Sequence, residues 1–230
     1  MIFENKLVRG ILIKRYKRFL ADVMLCDGSV VTVHCTNSGS MKTCIEEGAE
    51  VYLSDINNPK RKTRYTWEMI KIGASWVGVN TLNANKVAYE LIENRSIRGL
   101  DCYNYIKQEV KFEDSRFDIF AKNDKEQCFI EVKNVSMKDG DYAVFPDAVT
   151  ARGQKHLQTL LRVKASGIRA VMLYIVQRSD VCKFAPASNI DPKYAELLGN
   201  VHRKGVEVYV AQTKVSPSGI FLKDMLDFQC

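Results

Sequence analysis

A small β-barrel followed by a mixed sheet flanked by helices is the architecture this sequence predicts, and three observations carry it. Up to about Asn80 the chain is a series of short apolar runs separated by turn signals, with little sign of a helical stripe. From Thr81 onward helical apolar stripes alternate with strand-like runs. Between the helices, Ser115 to Asn134 reads SRFDIFAKNDKEQCFIEVKN, two apolar runs around a polar turn, each with one acidic residue.

The barrel strands are expected at Val8 to Ile13, Phe19 to Leu25, Val30 to Cys35, Glu50 to Leu53, Tyr65 to Ile72 and Trp76 to Val79. Asp27-Gly28 joins the second and third as a hairpin, because this dipeptide accepts the left-handed backbone of a two-residue loop. A barrel of the oligonucleotide/oligosaccharide-binding (OB) type fits this size, and an SH3-like barrel has a similar signature. Two basic clusters lie here. Lys14, Arg15, Lys17 and Arg18 surround Tyr16 and precede Phe19, and Lys60, Arg61, Lys62 and Arg64 precede Tyr65 and Trp67. Cations interleaved with aromatic rings suit a groove that follows a nucleic-acid strand, with charges on phosphates and rings on bases; two solvated loops over a barrel core give the same pattern. The stretch HCTNSGSM, from His34 to Met41, is either an anion-binding turn of backbone amides or a plain connection.

A helix is expected over Thr81 to Asn94, with Val87, Ala88, Leu91 and Ile92 as its apolar stripe and Glu90 close to that stripe. Tyr105 to Phe112 is a strand that leads into the central hairpin. If Asp124 and Lys125 form a two-residue loop, counting outward places Asp118 opposite Glu131 and Arg116 opposite Lys133. Carboxylates so opposed have Cβ atoms roughly 5 Å apart and repel, so a compensating cation is expected. A hard ion, Mg²⁺ or Mn²⁺, prefers carboxylate oxygen and keeps waters, leaving room for a phosphate. Lys133, two residues beyond Glu131, shares its face and suits orienting a water or stabilising phosphate charge. The D…ExK pattern is thus a candidate phosphodiester-cleaving site, with Glu90 as a candidate third carboxylate.

After this hairpin, Met137 to Val144 reads as a polar loop and Thr150 to Lys164 as a helix with Leu157, Leu160 and Leu161 inward. Arg152, Lys155 and His156 share another face of that helix, offering two fixed positive charges and an imidazole to a phosphate. Arg169 to Val176 is a buried strand, Tyr194 to His202 a helix and Val206 to Ala211 a strand, and the residues after Pro217 read as peripheral.

The whole chain, 230 residues and 46% hydrophobic, is long enough for two domains, each with its own core. Its net charge of +7 and isoelectric point near 9.0 favour an anionic partner, nucleic acid first and a membrane surface second. No apolar run reaches the roughly 20 residues of a membrane span, and MIFENKLVRG lacks a signal-peptide core, so a soluble cytoplasmic protein is expected. The seven cysteines are scattered without a CxxC pair, so reduced thiols in a reducing compartment fit best and neither a disulfide framework nor a zinc ribbon is indicated.

The stretches RYKRFLADV, HCTNSGSM, NPKRKTRYTWE, GVNTLNAN, SRFDI, EVKNV, FPDAVTARGQKHL and DPKYAELL, in this order, resemble the sugar fermentation stimulation protein A family over nearly the whole chain. The resemblance implies an OB-like domain over 1–80 and, over 81–230, a restriction-endonuclease-like α/β domain similar to PD-(D/E)xK nucleases, with DNA binding as the assigned activity. In that pattern Asp118 and Glu131 are the acidic ligands of Mg²⁺ or Mn²⁺, Lys133 the lysine, Glu90 the helix acid with Glu109 as substitute, and Lys155 or His156 the later helix position. The family's name records a sugar-utilisation phenotype and supplies no reaction, so neither regulation nor cleavage follows from it. The basic clusters and the family's assigned activity point to a DNA-binding protein, regulatory for sugar metabolism in one reading, and the complete D…ExK set points to a metal-dependent nuclease. Carbohydrate sensing through the barrel is a third reading, disfavoured by two tryptophans and the basic clusters.

Overall fold

The computed structural model describes residues 1–229. Six strands form the first sheet: β1 (Val8–Tyr16), β2 (Leu20–Leu25), β3 (Val30–His34), β4 (Glu50–Asp55), β5 (Tyr65–Ile72) and β6 (Ser75–Gly78). Their order is β3-β2-β1-β4-β5-β6, and a parallel bridge from His34 to Thr66 joins β3 to β5 and closes the barrel. Alternate residues of β1, β2 and β4 point inward, β5 is buried continuously from Thr66 to Ile70, and Leu12, Val23, Val33, Leu53 and Trp67 fill the barrel core. Strand β1 runs to Tyr16, past the expected Ile13, so Lys14 and Arg15 lie on a strand and only Lys17, Arg18 and Phe19 form the turn to β2.

The second domain begins with α1 (Leu82–Glu93) and continues through β7 (Tyr105–Phe112), β8 (Ser115–Lys122), β9 (Gln127–Val135), β10 (Lys138–Asp139), β11 (Tyr142–Phe145), α2 (Ala151–Ala165), β12 (Arg169–Val176), β13 (Lys183–Pro186), α3 (Pro192–Arg203), β14 (Glu207–Ser216) and β15 (Gly219–Met225). The main sheet has the order β15-β14-β12-β9-β8-β7, parallel through β9, β12 and β14 and antiparallel at both edges. One face packs on α1, through Val87, Ala88 and Ile92; the other packs on α2 and α3, through Leu157, Leu160 and Leu198. Thr150 caps α2 by accepting the Gly153 amide, and Asp191 caps α3 by accepting from Tyr194, with Pro192 at its first position, where a missing N–H costs nothing.

Two sequence expectations give way here. Met137 to Val144 is not a loop: β10 and β11 pair, and β11 runs parallel to β13 in a small third sheet, burying Ala143 and Val144. The residues after Pro217 are not peripheral, because β15 completes the main sheet and buries Ile220. The first residues also belong to this sheet side. Ile2 bridges Gly219, and Leu7 packs in the same core as α1.

The barrel is fixed to the second domain by polar contacts as well as by Met69 in the α1 core. Glu68, buried on β5, accepts from Ser54 Oγ at 2.7 Å, from Asn80 Nδ2 at 2.9 Å and from Asn83 Nδ2 at 2.8 Å, tying β4, the connection and α1 together. The Gly78 amide donates to the Gln177 carbonyl at 2.8 Å, and Gln177 Nε2 donates to the Asn80 carbonyl at 3.1 Å. Arg178, wholly buried, donates to the Ser136 carbonyl at 2.7 Å and to the Thr43 carbonyl at 3.4 Å.

Candidate active site and nucleic-acid interface

The central hairpin has the register that its turn dictates. Asn123 receives and donates around Asp124-Lys125, and the pairs Lys122 with Gln127 through Ile119 with Ile130 count outward to Asp118 beside Glu131. At that point β8 and β9 part. The Asp118 carboxylate accepts the Val132 amide at 2.8 Å through Oδ2 and the Asn85 side-chain amide at 2.7 Å through Oδ1. Glu131 is 2% exposed, and Lys133 Nζ and His156 Nδ1 both meet its Oε1; Lys133 Nζ also lies 3.1 Å from His156 Nδ1. Arg152 Nε approaches the other face of the imidazole, 3.4 Å from Nε2.

The electrostatics follow from this packing. Burial first, and then the neighbouring Glu131, raise the Asp118 carboxyl above its ordinary value, against the pull of the Val132 amide and Lys133. Burial acts upward on Glu131 too, but Lys133 and His156 outweigh it and its carboxyl ends low. Among the described residues no three His, Cys, Asp or Glu side chains gather as a metal cage. The donor set instead suits Mg²⁺ or Mn²⁺, which need only one or two carboxylates beside water and phosphate oxygen. Asp118 carries a charge that its surroundings disfavour, and the hydrogen bonds of Glu131 fall on Oε1 and leave Oε2 for an ion. In the barrel loop both thiols are buried, and burial raises Cys35 and pushes Cys44 up to about 12, which favours their protonated form.

Not every candidate joins this cluster. Glu90 faces elsewhere: five residues beyond Asn85, at about 100° per residue, it lies about 140° round α1, and it pairs with the Met1 amino group at 2.8 Å. Asn85 stands on α1 beside Asp118 instead, a neutral donor that a search for carboxylates passes over. Glu109, on β7, is exposed and pairs with Arg116 at 3.6 Å. Lys155 also turns away, to Asp114 at 2.8 Å on the solvent side, and His156 is the residue that α2 delivers.

The basic clusters divide in the same way. Arg15 is a clamp: its Nη2 donates to the carbonyls of Asn37 at 2.8 Å and Gly39 at 3.0 Å, and so shapes the HCTNSGSM loop. A side chain at Gly39 would collide with the Asp147 carboxylate, so glycine there lets the barrel loop touch the second domain. Arg64 grips Asp55 with Nε at 2.9 Å and Nη2 at 2.5 Å, Arg61 donates to Thr66 Oγ1 at 3.0 Å, and Lys14 and Tyr16 both engage Asp22. Trp67 is core. Lys17, Arg18, Lys60 and Lys62 are exposed, and among the described residues their side chains have no polar partner. Lys17 and Arg18 hold left-handed backbone, φ 48° and 63°, where glycine or asparagine is the usual choice. Arg18 lines a cavity of about 530 Å³ between the domains, together with Ser38, Gly39, Lys133, Asp147 and Arg152.

Fold and site together define a two-domain protein in which an OB barrel is joined to a restriction-endonuclease-like α/β domain. The family model for the SfsA N-terminal OB domain matches residues 13–79, and that for the sugar fermentation stimulation protein RE domain matches residues 82–219. A sugar fermentation stimulation protein homolog from Geobacter metallireducens is 45% identical over 228 residues, 98% of each chain. One from Shewanella frigidimarina is 45% identical over 223 residues, 95% of each. The structure of Pyrococcus furiosus SfsA, described as a complex with Ca²⁺, superimposes with a TM-score of 0.90 at 27% identity, covering 100% of this chain and 98% of that one. The chain belongs to the sugar fermentation stimulation protein family. No helix among the described residues is long and apolar enough to cross a membrane.

Proposed function

We propose that this protein binds DNA and that its second domain hydrolyses phosphodiester bonds with a divalent cation. The observation that carries the reading is the pair Asp118 and Glu131, brought side by side where β8 and β9 part, with Lys133 on the same face. Asp118 and Glu131 would hold Mg²⁺ or Mn²⁺, which when bound supplies charge neutralisation at the phosphate and a more acidic water. The Ca²⁺ of the Pyrococcus furiosus relative supports a site for a hard ion in this family.

The chain's own groups have separable parts in this reading. Asn85 and the Val132 amide fix the Asp118 carboxylate, so that its orientation does not depend on the ion. Lys133, released from Glu131 as the charge on that carboxylate is met elsewhere, orients the attacking water or faces the phosphate. His156, held between Glu131 and Arg152, stands on the same side as Lys133 and can take or return a proton there. Arg152 and Arg18 border the cleft that a phosphate chain would enter.

The test is incubation of labelled single-stranded, duplex and branched DNA with Mg²⁺ or Mn²⁺, comparing wild type with Glu131→Ala and Lys133→Ala. Cleavage by wild type alone, and only with metal, is the expected result. DNA bound by wild type and left intact under every metal and substrate would remove hydrolysis from the reading and keep the barrel as a DNA-holding module, which the unpartnered Lys17, Arg18, Lys60 and Lys62 favour in their own right.

A further inference from the structure

We infer that Phe19 and His34 form a base-stacking platform, and that the DNA form this protein holds is a single strand running from the Lys133 cleft across the barrel. The inference rests on DNA being the ligand and adds which form of DNA the site takes.

The platform is built by the ends of two strands. Phe19 ends the turn between β1 and β2 and is 46% exposed; His34 ends β3. Their rings are stacked, with centroids 6.5 Å apart and planes at 18°. The backbone beneath is fixed, since the Cys35 amide donates to the Phe19 carbonyl at 2.8 Å and Leu20 pairs with His34. The Phe19 ring therefore lies nearly parallel to the imidazole and offset from it, while much of the residue stays open to solvent, where an unstacked base gains most.

The surroundings fit a strand that passes over this ring. Phe19 is the neighbour of Arg18, which lines the cleft shared with Lys133 and Arg152. His34 lines a second cavity, also about 530 Å³, with Arg61, Thr66, Leu82 and Lys86. Between the two cavities stands the contact of Thr36 with Thr81, whose amide donates to Thr36 Oγ1 at 3.1 Å. The cations thus lie on the cleft side of the exposed ring, with Arg18, Lys133 and Arg152, whereas the second cavity mixes Arg61 and Lys86 with the carboxylates of Glu4, Asp55, Glu68 and Glu90 and with the 64% exposed Leu82. A duplex keeps its base faces stacked on one another and can meet the cations but not the ring. A single strand can meet both.

The test is fluorescence anisotropy in EDTA with a labelled oligothymidylate of about 12 nucleotides, within the site size of one OB fold, against a duplex of equal length. EDTA removes the metal-dependent reaction, so the outcome is independent of whether the second domain cleaves. Wild type should bind the single strand more tightly than the duplex. Phe19→Ala should weaken single-strand binding by roughly 5- to 150-fold, the range of one base–aromatic stack, leave duplex binding unchanged and retain the wild-type circular dichroism; Phe19→Trp should restore affinity. Equal affinity of wild type for both forms, binding to neither, or an unchanged single-strand affinity in Phe19→Ala would each overturn the inference. Hydrolysis fails separately, if tight metal-free binding is followed by no cleavage when Mg²⁺ or Mn²⁺ is added.

Discussion

Replacing Asp180 by asparagine should destabilise the protein far more than its place in a surface connection suggests. Asp180 holds the guanidinium of Arg178, 0% exposed, through Nε at 2.7 Å and Nη2 at 2.9 Å, while Nη1 reaches Ser136 at the end of β9 and Thr43 in the barrel loop. The asparagine keeps the shape but leaves a buried positive charge facing an amide. Breaking a buried pair from one side costs about 3–5 kcal/mol, and the lower end applies because Asp180 is 24% exposed and water can reach it. For a chain of this length about 3 kcal/mol lowers Tm by roughly 6–12 °C. Acid supplies the sign. Burial pushes the Asp180 carboxyl up, but Arg178 and Lys138 outweigh it and hold the carboxyl well below the usual range. Its stabilisation is therefore complete above the unfolded value of about 4 and is lost as pH falls through the depressed folded value. Thermal melts of wild type and Asp180→Asn at neutral pH and at successively lower pH give the answer, with Lys138→Met as a control that should cost about 1 kcal/mol or less, because its ammonium is partly exposed. A neutral-pH difference under about 2 °C, or one that does not shrink in acid, would refute the reasoning.

Other outcomes follow from the same geometry. Glu131→Gln and Lys133→Ala should each lower metal-dependent cleavage by about a hundredfold or more, whereas Lys155→Ala and Glu90→Gln should stay near wild type in a single-turnover assay, because those side chains serve Asp114 and the Met1 amino group. Asp118→Asn should abolish any rise in Tm on adding Mg²⁺ and remove the pH dependence that this carboxyl contributes to metal-free melts: a carboxyl whose folded value is raised costs stability when charged, and that cost fades as pH falls through the raised value. Removing Lys17 or Arg18 should reduce the slope of log K against log salt for a single strand by about 0.7 each; Arg64→Ala should leave the slope nearly unchanged, since that guanidinium already neutralises Asp55.

The hairpin was legible in the sequence because a two-residue turn converts position along the chain into position across it, and the pairs from Lys122–Gln127 to Ile119–Ile130 lead by counting to the point where Asp118 and Glu131 come side by side as the strands part. Lys133 followed from strand alternation. The third partner did not, since the angle at which α1 meets the hairpin is set by the packing of Ala84, Val87 and Ala88, and this brings Asn85 rather than Glu90 to Asp118. The same limit hid the roles of the arginines. Arg15 and Arg64 look like Lys17 and Lys62 in sequence, and only the folded chain brings Asn37 and Asp55 to the first two. Strands β10, β11 and β15 escaped because two short strands and a mostly exposed edge carry little alternation, and their pairing partners are remote in the chain.

The two domains do not behave as beads on a linker. Glu68 with Asn80 and Asn83, Gln177 with Gly78, and Arg178 with Thr43 fix the barrel at several points, and Gly39 allows its loop to meet Asp147. Such an interface sets the distance between the Lys133 side of the cleft and the Lys17-Arg18 turn, so that the strand proposed to engage the barrel would be presented to Asp118 and Glu131 in a fixed register. The turn itself argues that the register matters. Two consecutive basic residues in left-handed backbone cost on the order of 1–2 kcal/mol each relative to glycine, and their side chains gain no partner within the described protein. Stability alone would favour Asn-Gly at these positions. Lysine and arginine at these positions beside Phe19 are what the proposed DNA strand along this edge of the barrel would call for.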